Sequence, residues 1–132
     1  MKGFKSNIEK STLENKNFRK VLYTGKHLQL VLMSLKVGED IGDETHLHND
    51  QFFRFEGGVG KCIIDGNEYN VKEGDVIIVP AGAKHNVINT GKTGELKMYT
   101  LYGPPNHQDG TIRKTKADAE KNKEKFDGKT SE

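Results

Sequence analysis

Apolar positions in this chain come in short runs and alternations, concentrated between Val21 and Tyr102. Successive strand side chains point to opposite faces, so an alternation of period two predicts a strand with one buried face. The pattern predicts roughly seven to nine short strands with no helix between them, which is typical of an all-β sandwich or barrel. The predicted strands cover residues 18–24, 27–37, 44–48, 51–56, 61–65, 68–71, 76–79, 85–89 and 96–102.

One of these strands, residues 51–56, combines polar and aromatic positions on the same face. Alternation places Gln51, Phe53 and Phe55 together, with Arg54 on the opposite face. A polar group among aromatic rings inside a barrel is the common construction of a small-molecule site. We therefore expect Gln51 to face the interior of the barrel, where Phe53 and Phe55, together with Met98, would supply apolar walls.

The two ends of the chain differ in composition from its middle. Residues 1–17 are polar and predict an arm, residues 18–105 hold the predicted barrel, and residues 106–132 form a polar tail. Within the tail, residues 116–125 predict one exposed helix with Thr115 as its N-cap, and disorder is the alternative. The sequence thus predicts one domain with a terminal segment on either side.

Composition narrows the functional classes. The chain has 132 residues, which suffices for one domain, and 30% of them are charged. Its net charge of +2 is too small to favour a nucleic-acid partner. The single cysteine, Cys62, excludes an intramolecular disulfide and is typical of a reducing compartment. No apolar run predicts a membrane span and no signal-peptide pattern opens the sequence, so we expect a cytoplasmic protein without a membrane partner.

The most specific motif lies between residues 74 and 89 and reads G-x5-P-x-G-x2-H-x3-N. Gly74 opens a strand, and Pro80 and Gly82 turn the chain out of the sheet. His85 and Asn89 then share one face of the following strand. This motif resembles the second signature of the cupin superfamily, and the resemblance implies a double-stranded β-helix, or jelly-roll barrel, in which His85 is a metal ligand.

The first cupin signature, G-x5-H-x-H followed after three or four residues by E-x6-G, is present upstream in altered form. One register fits every spacing, with Gly38, Glu44, His46, Gln51 and Gly58 at the five positions. In this register Glu44 replaces the first histidine and Gln51 replaces the usual glutamate. The resemblance then implies a divalent metal held by Glu44, His46, Gln51 and His85.

A second register takes His46 and His48 as the H-x-H pair. It fails on spacing, because Phe52 and Phe53 fall where the carboxylate should be, and Asp40 falls where the glycine should be. His48 nevertheless remains an alternative to Glu44 as the fourth ligand, or an acid or base near the mouth of the pocket.

Charge supports the first register. A typical cupin site has three neutral histidines and one carboxylate, and Glu44, His46, Gln51 and His85 also supply three neutral groups and one carboxylate. Gln51 would offer its carbonyl oxygen as a weak neutral donor. Such a mixed nitrogen and oxygen set suits Zn, Mn, Fe, Ni or Co and does not choose between them.

The resemblance covers residues 28–102 and is strongest to small, single-domain cupins, many of which are labelled mannose-6-phosphate isomerase-like. It implies three alternatives. The first is a metal-dependent isomerase acting on a sugar or another small carbonyl or hydroxy compound, with His48 or Glu44 moving the proton. The second is a dioxygenase, which three protein ligands and open positions would favour. The third is a non-catalytic module that binds a small ligand such as a sugar.

Anchors for a phosphate are scarce in the predicted barrel. Arg54 faces outwards, and Lys84, next to His85, is the better candidate for the pocket mouth. His27 and His107 have no motif around them and are assigned no role. The resemblance also implies a homodimer that pairs through its sheets, with the terminal arms lying on the partner.

Overall fold

Two antiparallel β-sheets dominate the computed structural model, which describes all residues 1–132. The six-stranded sheet has the order β10-β1-β2-β9-β4-β7, and the four-stranded sheet has the order β3-β8-β5-β6. The all-β prediction is confirmed. The strands are β1 (Arg19–Thr24), β2 (Gln29–Leu35), β3 (Glu44–Thr45), β4 (Asp50–Gly57), β5 (Val59–Ile64), β6 (Asn67–Lys72), β7 (Val76–Val79), β8 (Lys84–Asn89), β9 (Leu96–Gly103) and β10 (Ile112–Arg113).

The hydrophobic core lies between the two sheets. The longer strands supply most of it, and β9 does so with a strictly alternating pattern of buried and half-buried positions. Phe53, Phe55 and Met98 are fully buried there, and the ring centroids of the two phenylalanines are 6.3 Å apart. Full burial of one such side chain contributes about 1.5–3 kcal/mol. The core therefore fixes the inward face of β4, and with it the direction of Gln51.

Turn chemistry sets the register of the four-stranded sheet. β5 and β6 form a hairpin in which Ile64 pairs with Asn67, so that only Asp65 and Gly66 form the turn. Both have positive φ, 46° and 82°, which a type I′ turn requires and an Asp-Gly pair tolerates. The turn keeps β5 in register with β8, where Ile64 lies opposite His85.

The N-terminal segment contains a helix, α1 (Ile8–Glu14), that the sequence analysis did not predict. Asn7 caps it by accepting a hydrogen bond from the backbone N–H of Lys10. The helix packs on the outer face of the six-stranded sheet, where Leu13 comes close to Gly57. A Cβ on Gly57 would lie 3.1 Å from Leu13 Cδ2, so the glycine allows this close approach.

The C-terminal tail is bound along its length to the barrel. β10 pairs with β1, and a second helix, α2 (Lys116–Lys121), begins at Thr115, whose hydroxyl accepts from the backbone N–H of Asp118. Further on, the backbone N–H of Ser131 donates to Thr24 O, and the Glu132 carboxylate accepts from the Tyr23 hydroxyl. The tail thereby crosses one end of the barrel and returns to β1. No helix in the structure is both long enough and apolar enough to cross a membrane.

Candidate metal centre and its cavity

Glu44, His46 and His85 form a cluster at the end of the four-stranded sheet. β3 and β8 are antiparallel and place Glu44 directly opposite His85, so both side chains project from the same face. His46 follows two positions after Glu44 and lies on the same side. One ligand atom from each of the three residues lies within 4.8 Å of the others. The cupin-like register thus brings together three of the four predicted ligands.

The protonation of His85 suits a metal ligand. The residue is 3% exposed, and its Nδ1 is 3.2 Å from the carbonyl oxygen of Ala83. A carbonyl can only accept, so Nδ1 carries the hydrogen and Nε2 keeps a free lone pair. Nε2 is buried and has no hydrogen-bond partner. Burial lowers the pKa of His85 because it disfavours the charged ring, which leaves the neutral, ligating form.

Glu44 is held in its charged form by the same cluster. Burial by itself raises the pKa of Glu44, but the hydrogen bond with His46 and the nearby charge of Arg19 help to lower it below its ordinary value. His46 Nε2 lies 3.1 Å from Glu44 Oε2, and the centroids of the His46 and His85 rings are 5.4 Å apart. The cluster therefore offers two imidazoles and one carboxylate.

Gln51 is buried beside this cluster, with 2% of its surface exposed. Its Nε2 donates to the hydroxyl of Thr100 at 3.0 Å, whereas its Oε1 is buried without a hydrogen-bond partner. A buried carbonyl oxygen without a partner costs stability unless a hydrogen-bond donor or a cation interacts with its lone pairs. The unpartnered oxygen of Gln51 and the unpartnered nitrogen of His85 fit a divalent cation, as does the mixed set of donors. The ligand role of Gln51 stays a prediction.

A cavity of about 770 Å³ opens above Glu44 and His46. Its other walls come from β1 and from the tail, so that the C-terminal segment closes one side of the site. The apolar lining is limited to Phe18, Ile41 and Ala119. The remaining lining residues are polar or charged: Arg19, Asp43, Glu44, Thr45, His46, Asn106, His107, Lys116, Glu120, Lys123, Glu124 and Lys125.

The other residues expected at the site lie elsewhere. Phe53, Phe55 and Met98 belong to the core and do not line the cavity, although the Phe53 ring packs 6.3 Å from His85. Lys84 projects to the opposite side of β8 from His85 and pairs with Asp43 at 3.7 Å. His48 lies exposed in the loop after β3, also outside the cavity lining. Their roles as pocket walls, anchor and proton carrier stay predictions.

Sequence analysis missed a hydrogen-bonded chain that leads away from the cluster. Tyr102, whose ring is 5.6 Å from that of His46, has its hydroxyl 3.2 Å from His107 Nε2, and His107 Nδ1 is 3.0 Å from Glu124. The Glu124 carboxylate can only accept, so Nδ1 carries the hydrogen and Nε2 accepts from Tyr102. His107, which was assigned no role, is buried in the cavity wall. No spacing signal marked it, because only the folded tail brings it to the barrel.

Two members of this chain make the stability of the protein sensitive to acid. Burial lowers the pKa of His107, and the Glu124 hydrogen bond only partly opposes this. Burial alone raises the pKa of Glu124, but the hydrogen bond with His107 and the charges of His107, Arg19 and Arg113 lower it. Groups with lowered folded-state pKa values bind protons more readily in the unfolded chain. The stability that each group contributes is therefore fully present when the pH is above its unfolded-state pKa, about 6.5 for histidine and 4.3 for glutamate. That stability is lost as the pH falls.

We accordingly expect the free energy of unfolding of the metal-free protein to fall steadily as the pH is lowered from 7 to 4. His107→Gln should make this dependence shallower between pH 7 and 5, because the titrating group is gone. The measurement is urea denaturation at several pH values, with the exposed His27→Gln as control. A His107→Gln curve parallel to that of the wild type would contradict the assignment.

Comparison with known proteins identifies the class. A cupin domain matches residues 31–102, more than half of the chain, and the chain therefore belongs to the cupin family. The structure resembles the crystal structure of BH2720 from Bacillus halodurans with a TM-score of 0.89 and 45% identity, covering 92% of this chain and 96% of that one. Both the family resemblance and the small, single-domain jelly roll are thus confirmed.

Two curated relatives extend the comparison. The chain is 52% identical over 124 residues to the uncharacterized protein YrkC of Bacillus subtilis (strain 168), covering 89% of this chain and 66% of YrkC. It thus spans about two thirds of that relative. It is also 29% identical over 68 residues to the mannose-1-phosphate guanylyltransferase of Salmonella montevideo, covering 52% of this chain but only 14% of that protein.

Proposed function

We propose that this cupin binds one divalent transition metal through Glu44, His46 and His85 and acts as a metal-dependent enzyme on a small polar substrate. The observation that carries the proposal is the cluster itself: three ligand atoms within 4.8 Å of one another, with His85 Nε2 buried and unpartnered. A buried imidazole nitrogen without a partner is costly in an apo site and is satisfied by a cation. Gln51 Oε1 would be the fourth protein donor.

The proposed chemistry is of the isomerase type. A bound ion would supply Lewis acidity to a carbonyl or hydroxyl oxygen of the substrate. The protein's own residues would hold the geometry: Glu44 stays ionised, His85 presents Nε2, and Gln51 is fixed by Thr100. His107 lines the cavity within a hydrogen-bonded chain from Tyr102 to Glu124, and a chain of this kind supports proton movement near the substrate. His48 and Glu44 remain the predicted proton carriers.

A sugar or a related hydroxy-carbonyl compound is the proposed substrate class. The volume of the cavity, about 770 Å³, is within the range of small-molecule sites. Its lining is rich in side chains that can hydrogen-bond to hydroxyl groups. The name of the Salmonella relative refers to a sugar phosphate, which also supports this class. The single cysteine, buried and unpaired, supports a reducing, cytoplasmic setting.

The test begins with the metal content of the purified protein and with reconstitution by Zn²⁺, Mn²⁺, Fe²⁺, Ni²⁺ and Co²⁺. We expect close to one ion per chain and, with zinc or manganese, isomerase activity on aldose and ketose substrates. Failure of every ion to bind would contradict the metal centre. Tight metal binding together with saturable sugar binding, but without turnover, would instead favour a non-catalytic binding module.

A dioxygenase is the second candidate, and one observation favours it. The three clustered residues are two histidines and one carboxylate, the ligand set typical of non-haem iron oxygenases. The test is oxygen consumption by the iron-loaded protein in the presence of candidate substrates. Substrate-dependent oxygen uptake with iron, and none with zinc, would select this function over the isomerase.

A homodimer that pairs through the six-stranded sheet is part of the proposal. Leu30, Leu101, Phe52 and Ile78 form one continuous apolar row across β2, β9, β4 and β7, because the strands pair in that register. The row faces away from the core, and Ile78 is 63% exposed. An uncharged row can pair with its own copy about a two-fold axis. This makes a second copy of the chain the proposed occupant.

The oligomeric state can be measured by size-exclusion chromatography with light scattering. We expect a dimer for the wild type and a monomer for Ile78→Asp. Val37→Asp, at an exposed position in the turn after β2, should remain dimeric. A monomeric wild type would contradict the proposal.

A further inference from the structure

The cavity contains a buried guanidinium with unmet hydrogen-bonding capacity. Arg19 is 8% exposed and lines the cavity together with Glu44 and His46. Its Nε is buried and has no hydrogen-bond partner. The Phe18 ring lies 5.5 Å from its Cζ and gives a cation–π contact, which provides no acceptor for the N–H groups. An arginine has five donors, so this burial is costly as the structure stands.

The neighbouring acid does not meet this demand. Arg19 Nη1 lies 3.8 Å from Glu124 Oε1, an ion-pair distance that is too long for a hydrogen bond. Glu124 Oε1 is already engaged by His107 Nδ1, and Glu124 Oε2 accepts from Arg113 Nη2 at 3.2 Å. Glu124 therefore neutralises part of the charge of Arg19, but its two carboxylate oxygens accept their hydrogen bonds from His107 and Arg113. The Arg19 donors are left for a group that enters the cavity.

We propose that Arg19 binds an oxyanion group, a carboxylate or a phosphate, of the small molecule that occupies the metal centre. A planar guanidinium with free donors matches the two oxygens of such a group. The proposal deepens the proposed function, because it rests on the same cavity and names the charge of the substrate. The substrate then spans the cavity, with hydroxyl or carbonyl oxygens at the cluster and its anionic end at Arg19.

The charge distribution around the cavity supports an anion. Lys123 and Lys125 line its outer part without an acidic partner within ion-pair distance, whereas Lys116 is paired with Asp40 at 2.5 Å. A divalent ion held by Glu44, His46 and His85 would leave one net positive charge in the inner part of the cavity. A carboxylate or phosphate would be attracted into it and would partner the free donors of Arg19.

The experiment uses calorimetry with glycolate and inorganic phosphate as probes, and with ethylene glycol as the neutral counterpart of glycolate. Each is titrated into metal-free and metal-loaded protein, both wild type and the test variants Arg19→Gln and Arg19→Lys. The outward-facing Arg54→Gln is the matched control. We expect both anions to bind more tightly than ethylene glycol. Arg19→Gln should weaken them by about tenfold or more, as loss of a charge-assisted hydrogen bond does, without changing metal stoichiometry. Arg54→Gln should bind as the wild type does.

The Arg19 proposal and the metal proposal can fail separately. Unchanged anion affinity in Arg19→Gln, or a metal-loaded wild type that binds neither anion, would overturn the role of Arg19 and leave the metal centre intact. A wild type that holds no metal, but loses anion affinity with Arg19→Gln, would sustain Arg19 and refute the metal centre. If Arg19→Gln does not fold, the Arg19 Nε–H resonance of the wild type provides the measurement. It should shift on addition of phosphate, and an unmoved resonance at saturation would overturn the proposal.

Discussion

Replacing His85 by Ala is expected to remove the bound metal, with affinity reduced by at least about a hundredfold. Changes to residues that only support a ligand cost about 10- to 100-fold, so loss of the ligand itself should cost more. His85 supplies a buried, neutral Nε2 that no other side chain in the structure partners. Solvent has little access to this buried nitrogen and is a poor substitute for it as a donor. Competition with a chelator measures the Zn²⁺ or Co²⁺ affinity of the wild type and of the variant, and so gives the reduction directly.

The same assay orders the remaining candidates. Glu44→Ala should cost more metal affinity than His48→Ala, because Glu44 lies opposite His85 in the β3–β8 pair and His48 is exposed in a loop. His48→Ala also serves as the matched control for loss of an imidazole. If His48→Ala released the metal and Glu44→Ala did not, the ligand register based on Glu44 would be wrong. Circular dichroism of each variant separates loss of the site from loss of the fold.

The parts of this site that were predictable have local sequence signals. β7 spans Val76–Val79 as predicted, and the Pro80–Gly82 turn that follows leads directly into the strand of His85. Alternation along β4 placed Gln51 on the buried face together with Phe53 and Phe55, which the burial pattern shows. Strand direction follows from periodicity and turn type, so a motif that combines both fixes the positions of its side chains.

The parts that were missed depend on long-range contacts. Arg19 lies in a predicted strand, but its approach to the cavity depends on the tail that packs across β1. His107 is bonded to Tyr102 and Glu124, and only the folded tail brings Glu124 to it. Helix α1 was missed because its few apolar residues are spread through a polar segment, which makes the periodicity weak. Sequence pattern therefore placed Glu44, His46 and His85 in one cluster, whereas tertiary packing assembled the rest of the cavity.

Glu124→Ala is expected to destabilise the protein by about 3 kcal/mol, the effect of removing one partner of a buried ion pair. Glu124 is the junction of the tail with the barrel: it accepts from His107 and Arg113 and pairs with Arg19, while its side chain is only 6% exposed. Without Glu124, Arg19 keeps its charge inside the cavity wall but loses the one acid within ion-pair distance. Burial of this unpaired cation is the larger part of the expected cost.

Urea denaturation of the metal-free protein measures this effect, with Glu120→Ala as the control. Glu120 also lines the cavity but is exposed on α2 and makes no ion pair, so its removal should change stability by less than about 0.5 kcal/mol. A second result distinguishes an electrostatic role from a purely structural one. Added phosphate should stabilise Glu124→Ala more than the wild type. In the variant, phosphate no longer competes with the Glu124 carboxylate for the Arg19 guanidinium. Equal stabilisation of both proteins by phosphate would show that Glu124 holds the tail without controlling the charge of Arg19.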